Sequence, residues 1–295
     1  MARWKLMVLG VAAAARVGGA PIAVPPNCWP LFGYLLATPR REAPRDALAM
    51  ALWPDHESDA ARHSLASALY RIRSAFGDLA CPIEASGERV RLRLDDALWV
   101  DMLAFERRAA PLAAIARTVV LDPPARRRLH RSLHGYGGDF MPMVDAEWAL
   151  IERERLRCLR LDALYALAGI HAGADDWRAV VATTRALTAA EPLREDAHRL
   201  LMTGYARTGN RALALRQYRH CAAVLAAELG VEPMDETSAL YRSLCAPAGP
   251  AAVPPSSPPL AVPAPGSTDL REVLAATRDQ MRTAIGLIDH ALAGP

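Results

Sequence analysis

The chain has 295 residues, which at roughly 150 residues per domain points to two domains. It is 52% hydrophobic but only 6% aromatic, and the strong helix formers Ala, Leu and Arg dominate it, so a mainly α protein is expected. A formal net charge of +3 excludes a polycationic nucleic-acid binder, and Lys5 as the only lysine excludes a Walker-type phosphate loop and lysine Schiff-base chemistry beyond the N-terminal strand.

The first residues, MARWKLMVLGVAAAA, superficially resemble a signal peptide, but Arg16 and two glycines break the apolar run, and Trp4 to Leu9 reads as an edge strand. No segment reaches the roughly 18 to 20 apolar residues of a membrane span, so the protein is expected in the cytoplasm, without membrane contact. Lys5 to Val11 and Ala20 to Val24 predict short strands. Helices follow over about Pro30–Ala37, Arg45–Leu52 and Asp59–Phe76, with Pro54 and Asp55 ending the second and Ser58 or Asp59 as N-cap of the third. Leu65, Leu69, Ile72 and Phe76 recur at i, i+4, i+7 and i+11 and give the third helix one core face. His63, Ser67, Tyr70, Arg71 and Ser74 point the other way, flanked by Arg62 and Arg73. A hairpin comes next: Ser86, Gly87 and Glu88 make the turn, and Val90, Leu92 and Leu94 alternate with Arg89, Arg91 and Arg93. Three helices and then a basic hairpin is the order of a winged helix-turn-helix.

From Trp99 to about Leu244 the pattern is helical throughout, apart from a loop marked by Gly135 to Gly138, Asp139 and Pro142. Within it, Ala174 to Pro192 is followed 35 positions later by Gly209 to Ala227, Ala179 falling on Ala214. A period of roughly 34 residues marks tetratricopeptide-like helix pairs, which stack because one pair cannot bury its apolar face alone. The expected division is therefore a winged helix over 1–97, the helical domain over 98–245, a Pro-rich linker over 246–268 and an amphipathic C-terminal helix over 269–295. Leu270, Leu274, Met281, Ile285 and Ile288 form a heptad-like stripe on that last helix, which needs a partner.

The order of these pieces resembles the bacterial transcriptional activator domain family, regulators of the antibiotic-regulatory-protein type. The likeness runs from about Arg40 to Leu244 through Leu52-Trp53-Pro54-Asp55, Ala61 to Gly77, Trp99-Val100-Asp101, Phe105-Glu106, Tyr136 to Pro142, Trp148, Glu152 to Leu156, Pro192 to Leu201 and Glu228 to Pro233. It implies promoter DNA bound by the third helix in a major groove, the wing touching the adjacent minor groove or backbone, and RNA polymerase or another regulator contacted by the helical domain, which also offers dimer contacts. The candidate DNA-binding residues are then Arg62, His63, Ser67, Tyr70, Arg71, Arg73, Arg89, Arg91 and Arg93. Ser64, Ala66 and Ser74 stand where the resemblance implies Asn, Arg and Arg, and Asn27-Cys28-Trp29-Pro30 replaces a basic stretch. An interaction adaptor whose winged helix no longer binds DNA is the alternative.

Other chemistry finds little support. Cys28, Cys81, Cys158, Cys221 and Cys245 are odd in number and lack C-x-x-C spacing, so reduced thiols are expected. His130 and His134, with Asp139, have metal-ligand spacing, but Arg126, Arg127, Arg128 and Arg131 beside them oppose a cation. Trp148, Trp177, Tyr205 and Tyr218 read as packing residues of the repeats. With no catalytic constellation, neither enzyme activity nor a cofactor is expected.

Overall fold

The computed structural model describes residues 4–77, 81–114, 124, 127, 129, 130, 133 and 136–246. They fall into two compact units, one of residues up to 109 with 132–160, the other of 110–131 with residues from 161 onward. The architecture is a winged helix-turn-helix followed by tetratricopeptide-like helix pairs.

In the first unit, β1 (Trp4–Met7) lies at the middle of a four-stranded sheet, antiparallel to β2 (Ala13–Arg16) and parallel to β7 (Leu98–Val100), with β3 (Pro21–Ile22) outside β2. Two of these strands escape the sequence pattern. β2 is Ala-rich and weakly strand-forming, and pairing with β1, Trp4 opposite Arg16, recruits it. Trp99 and Val100, read as the start of a helix, extend instead beside Lys5 and Leu6. Three helices follow the sheet's first strands: α1 (Trp29–Ala37), α2 (Arg45–Leu52) and α3 (Ser58–Phe76), with β4 (Glu42–Pro44) before α2. The N-cap of α3 is Glu57, without a side-chain cap, because Ala61 N–H already reaches Glu57 O at 2.8 Å and closes the first turn ahead of Ser58 and Asp59. β5 (Ile83–Ser86) and β6 (Arg89–Leu92) form the wing hairpin, and β4 pairs with the far side of β6.

Leu6, Leu31, Phe32, Leu35, Leu48, Leu65, Ile72 and Leu92 are fully buried and make the core between helices and sheets. Trp29, Phe32, Phe76 and Trp4 run through it as a chain of ring contacts with centroids 5.7 to 6.0 Å apart. Leu94, expected inside, is 42% exposed. β6 ends at Leu92; the bond from Arg93 N–H to Pro82 O carries its register with the paired strand one residue further, and Leu94 lies beyond it. Asp101 opens α4 (Asp101–Ala114) and accepts backbone N–H groups from Val8, Leu9 and Met102, tying the end of β1 to the helix. Burial pushes its carboxyl up even against those donors. Gly10 has φ +77°, and a Cβ there would meet Gly137 O at 2.4 Å, so only glycine permits this close approach of the 136–141 segment. Arg153 then fixes that segment by donating to the carbonyls of Phe140, Met141 and Val144.

Helix α5 (Glu147–Gly173) begins in the first unit and ends in the second, which continues with α6 (Trp177–Ala190), α7 (Glu195–Arg207), α8 (Arg211–Leu229) and α9 (Asp235–Cys245). The repeated segments are the second helices of successive pairs. Gly204 lets α7 approach α6, since a Cβ would lie 2.9 Å from Val181 Cγ2. Glu195 of α7 reaches across to accept from Met234 N–H and the Thr237 hydroxyl, capping α9 from outside its own sequence. Of the aromatic residues assigned to the repeats, Trp148 belongs to the first unit and packs edge-on against Tyr34 at 5.4 Å. Tyr218 stacks on Tyr241 at 4.0 Å. No disulfide joins any of the five cysteines, and Cys158 and Cys245 are exposed. Among the described residues, no helix is long and apolar enough to cross a membrane.

Candidate nucleic-acid interface

The third helix, α3, buries one side and shows the other to solvent. Ala61, Leu65, Ala68, Ile72 and Phe76 bury one stripe, which leaves His63, Ala66, Tyr70, Arg71, Arg73 and Ser74 outward, with Ser67 half-buried. Tyr70 is 73% exposed. Cys28, behind α3, sends its Sγ toward Ala68 O at 3.8 Å, and burial raises its thiol although the nearby Arg71 charge works against this.

At the N-terminal end of α3, Arg62 is taken up within the protein. It grips Asp46 of α2 bidentately, at 2.8 and 3.1 Å, and reaches Asp59 at 3.3 Å. This contact holds the Asp46 carboxyl below its usual range. Ser64 Oγ lies 3.3 Å from His56 Nδ1 in the turn before α3, so its hydroxyl serves that turn.

The wing has the expected period. Val90 and Leu92 are buried, and Arg89 and Arg91 are exposed. Gly87 supplies the positive φ, +55°, that its turn demands. The register then decides the electrostatics. Glu84 sits directly opposite Arg91 on the paired strand and bonds it at 2.7 Å, while its other oxygen takes Arg93 at 3.2 Å. Arg93 also pairs with Asp95 at 2.9 Å, and Arg89 pairs with Glu42 of β4 at 2.8 Å. The hydrogen bond from Arg91, then the charges of Arg91 and Arg93, lower the Glu84 carboxyl.

The structure thus brings the predicted helix residues together on one face, and it pairs Arg62, Arg89, Arg91 and Arg93 with carboxylates that sequence reasoning missed. Glu84 was recoverable only to within one position, because a turn at Ser86–Glu88 would put residue 84 opposite 90, whereas Ser86 pairs with Arg89 and sets 84 opposite 91. Asp46 and Glu42 had no such signal. Residues 1–97 carry twelve Lys and Arg against ten Asp and Glu, so the surface has little spare positive charge. Leu270, Leu274, Met281, Ile285 and Ile288 lie outside the described residues.

The helical unit has a separate cavity of about 670 Å³, lined by Arg127, His130, His171, Asp176, Ala179 and Ala182. The His130 and His171 rings meet edge-on at 5.8 Å, and burial lowers the His130 pKa. His130 therefore neighbours His171; His134 is outside the described residues, and Asp139 belongs to the first unit.

Comparison with known proteins agrees with this architecture. Residues 100–245 match the bacterial transcriptional activator domain. The regulatory protein AfsR of Streptomyces coelicolor is 31% identical over 226 residues, 77% of this chain and 22% of that protein. AfsR of Streptomyces griseus is 30% identical over 251 residues, covering 81% and 24% respectively. The chain thus spans under a quarter of the length of these relatives. Among solved structures, Mycobacterium tuberculosis EmbR in complex with a low-affinity phosphopeptide has the same fold, with TM-score 0.65 over 83% of this chain and 65% of that one, at 23% identity.

Proposed function

Because this chain belongs to the bacterial transcriptional activator domain family through residues 100–245, we propose that it regulates transcription by binding promoter DNA. Its likeness to two AfsR regulatory proteins, which reaches beyond that domain into the winged helix, supports the reading. The observation that carries it is the outer face of α3, where Tyr70, Arg71 and Ser74 stand exposed on a helix whose opposite side is locked into the core. A helix of this kind presents side chains to base edges in a major groove, and the wing lies beside it to meet the backbone. The helical unit then supplies dimer contacts or docks RNA polymerase or another regulator, and the stripe from Leu270 to Ile288 is a further partner surface.

A second reading has a specific observation behind it. Four of the six candidate arginines are engaged with carboxylates, which favours an adaptor that uses the winged helix as a scaffold. Titrating the protein against labelled duplex fragments at two salt concentrations separates the two. DNA binding predicts a complex weakened by salt and by Arg71→Ala. Binding to no fragment at low salt leaves the adaptor.

A further inference from the structure

We infer that intramolecular carboxylates divide the six candidate arginines into an open pair, Arg71 and Arg73, which meets DNA phosphates, and a masked set, Arg62, Arg89, Arg91 and Arg93, whose pairing restrains DNA affinity. The inference rests on the DNA-binding reading and specifies how that surface is tuned.

Each masked guanidinium has an acidic partner within 2.7 to 2.9 Å. Among the described residues, no carboxylate pairs with Arg71 or Arg73. The division follows from the fold. Glu84 is held opposite Arg91 by strand register, Glu42 occupies the neighbouring strand on the other side, and Asp46 lies on the helix packed against α3. A change of rotamer therefore cannot take these acids away from the surface. Exposed ion pairs of this kind contribute little to folding, so their role here is one of charge. An arginine that contacts a phosphate releases a cation condensed on the DNA. When that arginine first leaves a carboxylate, the freed acid stands beside the phosphates, repels them and recruits a cation in turn. The net release approaches zero. The wing then touches the backbone without adding much affinity, and the charge-driven and base-reading contacts both fall to the second half of α3, around Tyr70, Arg71 and Ser74.

The test is the slope of log affinity against log salt, measured by fluorescence anisotropy on a labelled mixed-sequence duplex. Arg71→Ala should flatten the slope by about one, while Arg91→Ala should shift it by less than about half of that. Glu84→Gln, which releases Arg91 while Arg93 keeps Asp95, should steepen it by about one and tighten low-salt binding by about tenfold. In the Glu84→Gln background, Arg91→Ala should regain a cost of about one in the slope. Asp46→Asn probes the Arg62 pair independently, and its unchanged melting temperature, like that of Glu84→Gln, reports intact folding. Equal losses from Arg71→Ala and Arg91→Ala in the wild-type background, or no response to either acidic substitution, overturn the masking while DNA binding stands. If no variant binds duplex, including the Asp46→Asn, Glu84→Gln double substitution, the DNA-binding reading falls and the masking with it.

Discussion

The two units bury different kinds of side chain. Among the described residues, the first unit buries one polar side chain, Glu152, at its edge and paired with Arg155, while Phe32, Ile72 and their neighbours fill the interior. The second unit buries His171, Thr183, Thr184, Thr188, His198 and Thr237 among its helices. A winged helix closes sheet and helices around one centre, where large apolar groups interlock. Stacked helix pairs meet along narrow seams that admit small hydroxyls, two of which bond back to their own helix, Thr184 to Val180 O at 2.7 Å and Thr188 to Thr184 O at 3.0 Å. The first unit should therefore respond to lost volume, and the second to protons.

Phe32→Ala applies the harshest test on the apolar side. Removal of a fully buried ring should destabilise the first unit by about 3 to 5 kcal/mol in chemical denaturation. A loss below about 1 kcal/mol would mean that this core tolerates voids and differs little from the helical seams. Asp101→Ala comes next. It strands the N–H groups of Val8, Leu9 and Met102 and should cost about 2 to 3 kcal/mol.

The acid response probes the second unit. His198 is fully buried, with Nε2 2.9 Å from Pro192 O and Nδ1 2.8 Å from Gln217 Nε2, an arrangement that suits the neutral ring. Burial lowers its pKa below the usual value near 6.5. The unfolded chain then binds the proton more readily, so stability is intact above about pH 6.5 and falls as pH drops through that value toward the folded pKa. Hydrogen exchange, corrected for intrinsic rates, should show α7 and α8 losing protection between neutral and mildly acid pH, and His198→Gln should blunt the loss. Equal acid loss in α1 and α3 would erase the contrast between the units. Thr184→Val is the smallest change. It preserves shape, removes a hydroxyl already satisfied within its helix, and should shift stability by under about 1 kcal/mol.

The elements whose signal is local are legible in the sequence. The stripe on α3, the Arg45–Leu52 helix and the alternation of β6 are all written in neighbouring residues, and each formed within a residue or two of its expected place. The outer face of α3 followed for the same reason, since a helix with one buried stripe has its remaining side chains assigned by geometry. Ala13–Arg16 gave no such signal, because alanine carries little strand preference and the strand exists through its partner. The partners of the arginines were hidden for a related reason. Arg89 and Glu42 are distant in sequence, and only the pairing of β4 with β6 brings them together.

By itself the sequence determined the order of a winged helix and helix pairs, the period of the repeats, and which side of α3 faces outward. All of these follow from periodicities of 3.6, 2 and roughly 34 residues, along which burial is decided locally. Tertiary structure alone decided which charges remain open. Net electrostatic character depends on through-space neighbours, and the folds of β4, β5 and α2 placed Glu42, Glu84 and Asp46 against arginines that the sequence offers as equals.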